Sequence, residues 1–211
     1  MKILELFSGT KSVSKALQGN EIVSVDILDT YNPSIVSDIL AWDYTIYSPG
    51  HFNLIWASPP CTEYSKAKTT GNRNIELANR VVLKTIEIIE YFNPEYWFIE
   101  NPQTGLLKEQ DFMDFLPYYD IDYCQYGMLY RKRTRIWTNL ETFNPKQCPG
   151  VGRCNAMTGN KHKLSCGNGY TSDTKTKSIW SGCKYSERIV KKDEKYSIPQ
   201  LLLKDLFQSI I

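Results

Sequence analysis

Short apolar runs alternate with polar breaks along the first two thirds of the chain. Lys2–Phe7 is a run of strand length, closed by the turn Ser8-Gly9-Thr10. Ser12–Leu17 reads as a short helix ended by Gly19-Asn20, and Glu21–Ile27, rich in β-branched residues, as a second strand. Ile35–Ile39 is a short third strand and Asn53–Ala57 a fourth, followed by a long polar loop over Thr62–Asn74. The clearest helix is Ile75–Phe92. Its apolar residues at 75, 78, 82, 86 and 89 share one face, Glu76, Lys84, Glu87 and Glu90 take the other, and Asn93-Pro94 stops it. Tyr96–Ile99 is a fifth strand, Leu106–Leu116 a helix, and Tyr118–Tyr126 and Thr134–Thr138 two further strands. Strands alternating with helices predict an α/β fold with a mainly parallel, doubly wound sheet. From Asn139 to Lys195 the pattern fails and Gly, Asn, Lys, Thr and Ser dominate, which predicts a loop-rich insert. Ser197-Ile198-Pro199 then opens a last helix through Ile211, with Leu201, Leu202, Leu206, Phe207 and Ile210 as its apolar face. The expected organisation is a core over 1–138, an insert over 139–195, and a C-terminal helix over 196–211 packing back on the core.

The polar residues that interrupt this pattern come at the C-terminal ends of successive strands: Ser8-Gly9, Asp26, Asp38, Ser58 to Cys61, and Glu100-Asn101. In an open α/β sheet those ends share the edge where ligands bind. Pro59 and Pro60 end the Leu54-Ile55-Trp56 run rigidly and hold Cys61 just beyond it. A cysteine there is either a small buried apolar side chain or a nucleophile. Glu100, ending a buried strand, needs a partner or a task, and desolvation would raise its pKa toward use as an acid. The turn Phe7-Ser8-Gly9-Thr10-Lys11 before a helix has the form of a nucleotide-cofactor turn, and Asp26 can hold ribose hydroxyls. Asp38 can accept from an adenine amino group. Arg131, Arg133 and Arg135 fall on one face of a strand, either as a solvated basic edge or as phosphate and base contacts.

Charge changes this picture. Residues 1–130 carry 9 Lys+Arg against 17 Asp+Glu, a net of −8, while residues 131–195 carry 15 against 5, a net of +10. The basic section reads either as solvated surface or as a face toward a polyanion. The N-terminus enters a strand at once without a signal-peptide layout, and no apolar stretch is long enough to span a bilayer. The expected location is the cytoplasm, or the cytoplasm or nucleus of a host cell for a viral protein, without secretion or a membrane partner; the expected unit is a monomer. Six cysteines in a reducing compartment predict thiols or metal ligands rather than disulfides. Cys148, Cys154, His162 and Cys166, with Cys183 beyond, have two readings: a tetrahedral zinc site ordering a segment without its own core, or unligated thiols.

Leu6-Phe7-Ser8-Gly9, Ser58-Pro59-Pro60-Cys61, Glu100-Asn101-Pro102 and Arg131-x-Arg133-x-Arg135 come in the order and spacing of one family. The chain resembles the DNA (cytosine-5) methyltransferases, especially the short single-domain forms of large DNA viruses and phages. The resemblance implies a Rossmann-like fold, S-adenosylmethionine as cofactor and duplex DNA as partner. It implies that Cys61 adds to C6 of a flipped cytosine, that Glu100 engages N3, and that Arg133 and Arg135 support the base. It gives Phe7, Ser8, Gly9, Thr10, Asp26, Ile27, Asp38, Ile39, Ser58 and Pro59 to the cofactor, and Ser197-Ile198-Pro199 resembles the end of the last family motif. The chain departs from the pattern at Lys11, where a second glycine is usual, at Pro102 for valine, and at Arg131 for glutamine; the Gly-Asn before the last motif is missing. Only about sixty residues separate Arg135 from Tyr196, a small target-recognition region. Methylation of cytosine in transfer RNA, and a non-catalytic nucleic-acid-binding protein of the same fold, are the competing readings.

Overall fold

In the computed structural model, the strand Lys2–Leu6 (β1) is flanked on both sides, by Glu21–Asp26 (β2) and by Leu54–Ala57 (β4), and four of its five residues are buried. The structure describes residues 1–166, 190–208 and 210. Ile35–Val36 (β3) extends the sheet beyond β2, and Tyr96–Pro102 (β5) extends it beyond β4, all in parallel. Arg133–Thr138 (β7) then inserts antiparallel between β5 and the outer strand Tyr118–Asp122 (β6). The order is β3-β2-β1-β4-β5-β7-β6, a mixed α/β sheet that is mostly parallel and reverses its winding between β1 and β4. A crevice forms at such a reversal, beyond the carboxyl ends of the strands.

Alternation along the strands builds two cores. Ile3, Leu54, Trp56, Phe98, Ile121 and Ile136 face one side, where the helices Ser12–Ala16 (α1) and Gln200–Phe207 (α4) cover them through Val13, Leu202, Leu203, Leu206 and Phe207. Leu4, Leu6, Ile55, Ala57, Ile99 and Trp137 face the other, under Val82, Ile89 and Phe92 of the helix Ile75–Phe92 (α2). The α2 boundaries match the expectation: Asn74 caps the start by accepting from the Leu77 amide, and Asn93 ends it in the left-handed region at φ 44°. Trp56 stacks on Phe98, and both meet Phe207 edge-on.

Four expectations shift. Leu106–Leu116 is not a helix but two 3₁₀ turns, Leu107–Glu109 and Asp111–Met113. Gln110 between them is extended, because its side chain donates to the Leu106 carbonyl and accepts from Asn79. The third strand stops at Val36, since the Asp38 carbonyl accepts from the Ala41 and Trp42 amides and turns the chain. The strand from Tyr118 ends at Asp122 and continues as a 3₁₀ turn, Tyr123–Tyr126. The last helix begins at Gln200 rather than at Ser197, whose hydroxyl instead donates to the Glu194 carbonyl and closes a short helix, Lys192–Tyr196 (α3).

The chain after β7 runs on along the sheet. Tyr119 donates to the carbonyls of Leu140 and Glu141, and the Asp122 amide donates to Lys146, so this segment runs along the outer edge of β6. It continues into a hairpin of Met157–Thr158 (β8) and Lys161–His162 (β9). Among the described residues no helix is long and apolar enough to cross a membrane.

Phe207 is 2% exposed and joins α4 to the aromatic pair on the sheet. Phe207→Ala is expected to destabilise the protein by about 3–5 kcal/mol, measured by urea denaturation.

Candidate active site

Because β1, β2, β4 and β5 run parallel, and β6 runs with them, their C-terminal ends meet on one edge. The antiparallel β7 starts at that same edge. The turn after β1 is held in place from two sides. Glu5, buried inside the sheet, accepts from the amides of Val13 and Ser14, each at 3.1 Å, and from the Ser14 hydroxyl. Burial raises the Glu5 pKa, and these donors oppose the shift without cancelling it. A carboxylate at the amino end of α1 is also favoured by the free N–H groups there. From the other side, Asp26 accepts from the Gly9 amide at 2.8 Å and the Leu28 amide at 2.9 Å.

Phe7, Gly9 and Lys11 all take positive φ, at 56°, 42° and 55°. Lys11 thus adopts the backbone that a glycine would fill without strain, and its ammonium donates to the Asn32 carbonyl in the loop between β2 and β3. The Ser8 hydroxyl is buried with no partner among the described residues. Ile27 and Leu28 are 62% and 64% exposed beside Asp26. An orphaned hydroxyl, a pinned carboxylate and exposed apolar side chains suit a ligand with a polar sugar and a flat apolar base, which fits S-adenosylmethionine. Thr10 hydrogen bonds to Ser12, whose hydroxyl accepts from the Ile198 amide, so the C-terminal Ser197-Ile198-Pro199 segment is fastened to the first turn. Asp38 is exposed and accepts from the Leu40 amide. The side chain of Ile39, the next residue, packs in the core at 5% exposure. The Ser58 hydroxyl accepts from the Trp56 indole.

The second half of the site lies over β4 and β5. Asn101 donates its side-chain amide to the Pro59 carbonyl at 2.9 Å, which fastens the Ser58-Pro59-Pro60-Cys61 turn to the next strand end. Cys61 is half-buried and Glu100 buried. Glu100 accepts from the Tyr123 hydroxyl at 3.1 Å, and the Lys132 ammonium lies 3.4 Å from the same oxygen and 4.8 Å above the Tyr123 ring. Burial pushes the Cys61 thiol pKa up, Lys132 pulls it back, and Glu100 adds to the rise. Burial works against the Lys132 charge, but Glu100 and then Cys61 outweigh it and hold its pKa above the ordinary value.

Lys132 was legible in the sequence only as one member of a basic run. Glu100 lies opposite Ile136 across the β5–β7 pair, so the even-numbered residues of β7 share its face, and Lys132, one residue before β7, continues that alternation. Arg133 and Arg135, expected to support the target base, point to the opposite face. Arg133 binds Asp122 at 3.1 and 2.7 Å, and Arg135 binds Asp120 at 2.8 and 2.9 Å while lying 3.5 Å over the Tyr118 ring. Arg131 also binds Asp122, at 3.0 Å. The three arginines do share one face, as expected, but β6 carries two aspartates in register with that face. The signal was the Asp120-x-Asp122 spacing, which matches the spacing of the arginines.

The cysteine expectation is corrected in one ligand. Cys148, Cys154 and His162 do come together, and the fourth member of the group is Cys124. Cys166 packs against the other core, where burial raises its thiol pKa and the nearby Lys132 opposes the rise. Cys183 lies outside the described residues.

No family model matches the chain. A protein of Frog virus 3 (isolate Goorha), named "Probable DNA (cytosine-5)-methyltransferase", is 41% identical over 178 residues, covering 76% of this chain and 80% of the relative. The fold is similar to that of the S. pombe Dnmt2 methyltransferase, with a TM-score of 0.52 at 20% identity over 69% of this chain and 53% of that one. It is also similar to the Entamoeba histolytica methyltransferase EhMeth, with a TM-score of 0.53 at 16% identity over 70% of this chain and 57% of that one. The chain spans little more than half the length of these solved structures, and at such identities the likeness speaks for the fold alone. The viral relative carries the assignment further: the chain belongs to the DNA (cytosine-5)-methyltransferase family.

Proposed function

We propose that this protein transfers a methyl group from S-adenosylmethionine to C5 of cytosine in DNA, through a covalent bond between Cys61 Sγ and C6 of a base flipped out of the duplex. The observation that carries the reading is the convergence of Cys61, Glu100 and Lys132 at one edge of the sheet. The name of the viral relative supports the same reading. The cofactor, when bound, supplies an electrophilic methyl group. Phe7, Ser8, Gly9, Thr10, Asp26 and Ile27 are the residues to hold it, with Asp26 and Asp38 taking its ribose and adenine polar groups.

A cytosine ring is a poor nucleophile at C5. Cys61 loses its proton to water, and its thiolate adds to C6, forming the S–C6 bond and shifting the C5=C6 electron pair toward the ring nitrogen. Glu100 shares a proton with N3 and stabilises that charge. C5 is then enamine-like and would take the methyl group, its new carbon–carbon bond forming as the bond from that methyl to the cofactor's sulfonium sulfur breaks and leaves a neutral thioether. Loss of the C5 proton to water restores C5=C6 and expels the Cys61 thiolate. The Lys132 ammonium, beside both Glu100 and Cys61, offsets the negative charge that the site gathers. A target inside a duplex must leave the stack to reach this edge. Arg131, Lys132, Arg133 and Arg135 are taken up by Asp122, Glu100 and Asp120, but Arg153, Lys161 and Lys163, exposed around the hairpin, support a nucleic-acid face there.

Cys61→Ala is expected to abolish 5-methylcytosine formation in duplex DNA, read by mass spectrometry of digested nucleosides, and to abolish covalent trapping on 5-fluorocytosine DNA. The same product appearing only in transfer RNA would move the substrate to RNA. Glu100→Gln is expected to slow single-turnover methyl transfer about 10²–10⁴-fold.

The raised Cys61 pKa has a pH consequence. A thiol titrating above the ordinary value of 9.0 is mostly protonated at neutrality, so its alkylation by iodoacetamide should still be climbing as the pH passes 9.0. Removing the Lys132 charge takes away a stabiliser of the thiolate. Lys132→Met should therefore move the alkylation midpoint further up in pH; an unchanged or lower midpoint would remove Lys132 from this role. DNA affinity should fall linearly in log–log form as salt rises, and Lys161→Glu combined with Lys163→Glu should flatten that slope.

A further inference from the structure

Three thiols and an imidazole meet beside the outer strand of the sheet. Cys124, Cys148, Cys154 and His162 each bring one ligand atom inward, and these atoms all lie within 4.8 Å of one another. Nε2 of His162 is 3.6 Å from Cys148 Sγ and 3.7 Å from Cys154 Sγ. A tetrahedral zinc with bonds of about 2.3 Å to sulfur and about 2.0–2.1 Å to nitrogen sets its sulfur and nitrogen ligands about 3.6 Å apart. The cluster is therefore already near the size that the ion demands.

The local sequence explains how a wide spacing closes on one point. Between Cys148 and Cys154, Gly150 and Gly152 take φ of 87° and 75°, and the amides of Arg153 and Cys154 both donate to the Gly150 carbonyl. This winds five intervening residues into a tight knuckle and turns both sulfurs the same way. The β8–β9 hairpin then returns His162 opposite Met157, whose amide donates to the Cys154 carbonyl. The Gln125 side-chain amide donates to Cys124 Sγ at 3.6 Å and Cys154 Sγ at 3.5 Å. One side-chain amide thus reaches two of the sulfurs and holds them about a common point. Among the described residues the apolar material around the cluster is meagre: Cys124, Cys154 and Ala156 are buried, with Cys148 and Met157 packed against them. A segment with so small a core needs another source of order.

We infer that Cys124, Cys148, Cys154 and His162 hold a structural zinc ion that clamps the segment after β7 to the end of β6. Four protein ligands close the coordination sphere, so the ion is a staple and not a Lewis acid for the reaction. Its anchor on the sheet is informative. Cys124 follows Tyr123, the hydroxyl donor to Glu100, and the Cys148 amide donates to Asp122 at 2.8 Å. The clamp thereby ties the basic segment to the wall of the proposed active site.

The test is metal analysis of the full chain, purified without chelator, together with cobalt titration of the metal-free protein. One zinc per chain is expected, and cobalt should give intense tetrahedral ligand-field bands with thiolate charge transfer. Cys124→Ala should lose the ion, while Cys166→Ala should keep it. His162→Cys should retain metal and shift the cobalt spectrum toward that of an all-thiolate site, which reads the ligand set even if Cys124→Ala fails to fold. Removing the ion should also expose residues 148–162 to protease. Substoichiometric zinc without a tetrahedral thiolate spectrum in the unaltered protein would overturn the inference. So would metal loss from Cys166→Ala with retention in Cys124→Ala, or an unchanged cobalt spectrum in His162→Cys.

Discussion

The carboxylate of Asp122 has no contact with solvent, and a charge in that position is tolerated only where it is paired and fully hydrogen-bonded. Here it accepts from Arg131, from Arg133 in a two-point contact, and from the Cys148 amide. Burial works to raise its pKa, but Arg133, the Cys148 amide and Arg131 outweigh it and hold it below the ordinary value. Removing the partners of such a buried charge costs about 3–5 kcal/mol. Three parts of the molecule thus converge on one side chain: the end of β6, the start of β7 and the segment carrying the Cys/His cluster.

That convergence orders the neighbouring positions by alternation. With Arg131 and Arg133 both committed to Asp122, the side chain between them faces the other way. Lys132 is thereby directed to Glu100 and Cys61. The proposed chemistry depends on this sorting. A buried thiol beside a carboxylate is a poor place to form a thiolate, and a nearby ammonium is the compensation in reach. Asn101 and Tyr123 complete the arrangement, one fastening the Cys61 turn to β5 and the other orienting the Glu100 carboxyl.

The cofactor half follows a different principle. Its turn is shaped by backbone N–H groups bound to two carboxylates, Glu5 beneath and Asp26 beside. With the turn held from both directions, a lysine can occupy the left-handed position that usually needs glycine, and its side chain bridges to Asn32. The Lys11 departure from the family pattern therefore leaves the shape of the turn intact.

Much of this is legible in the amino-acid sequence. The apolar runs predicted β1, β2, β4, β5 and α2, because burial on a sheet or helix face imposes periods that the side chains must obey. The strand-end rule placed Ser8, Asp26, Cys61 and Glu100 on one edge, because parallel strands leave no other arrangement. Periodicity said less where tertiary bonds compete with local preference, as at Gln110, which breaks the expected helix, and at Ser197, which closes one helix instead of opening the next. Alternation put three arginines on one face, but a strand pattern does not say what the facing strand presents. Only the pairing of β6 with β7 decided that those arginines meet aspartates and that Lys132 meets Glu100. In the same way, spacing could gather Cys148, Cys154 and His162, which are close along the chain. It could not choose Cys124 over Cys166, since that choice depends on contacts between residues far apart in sequence, which only the folded sheet brings together.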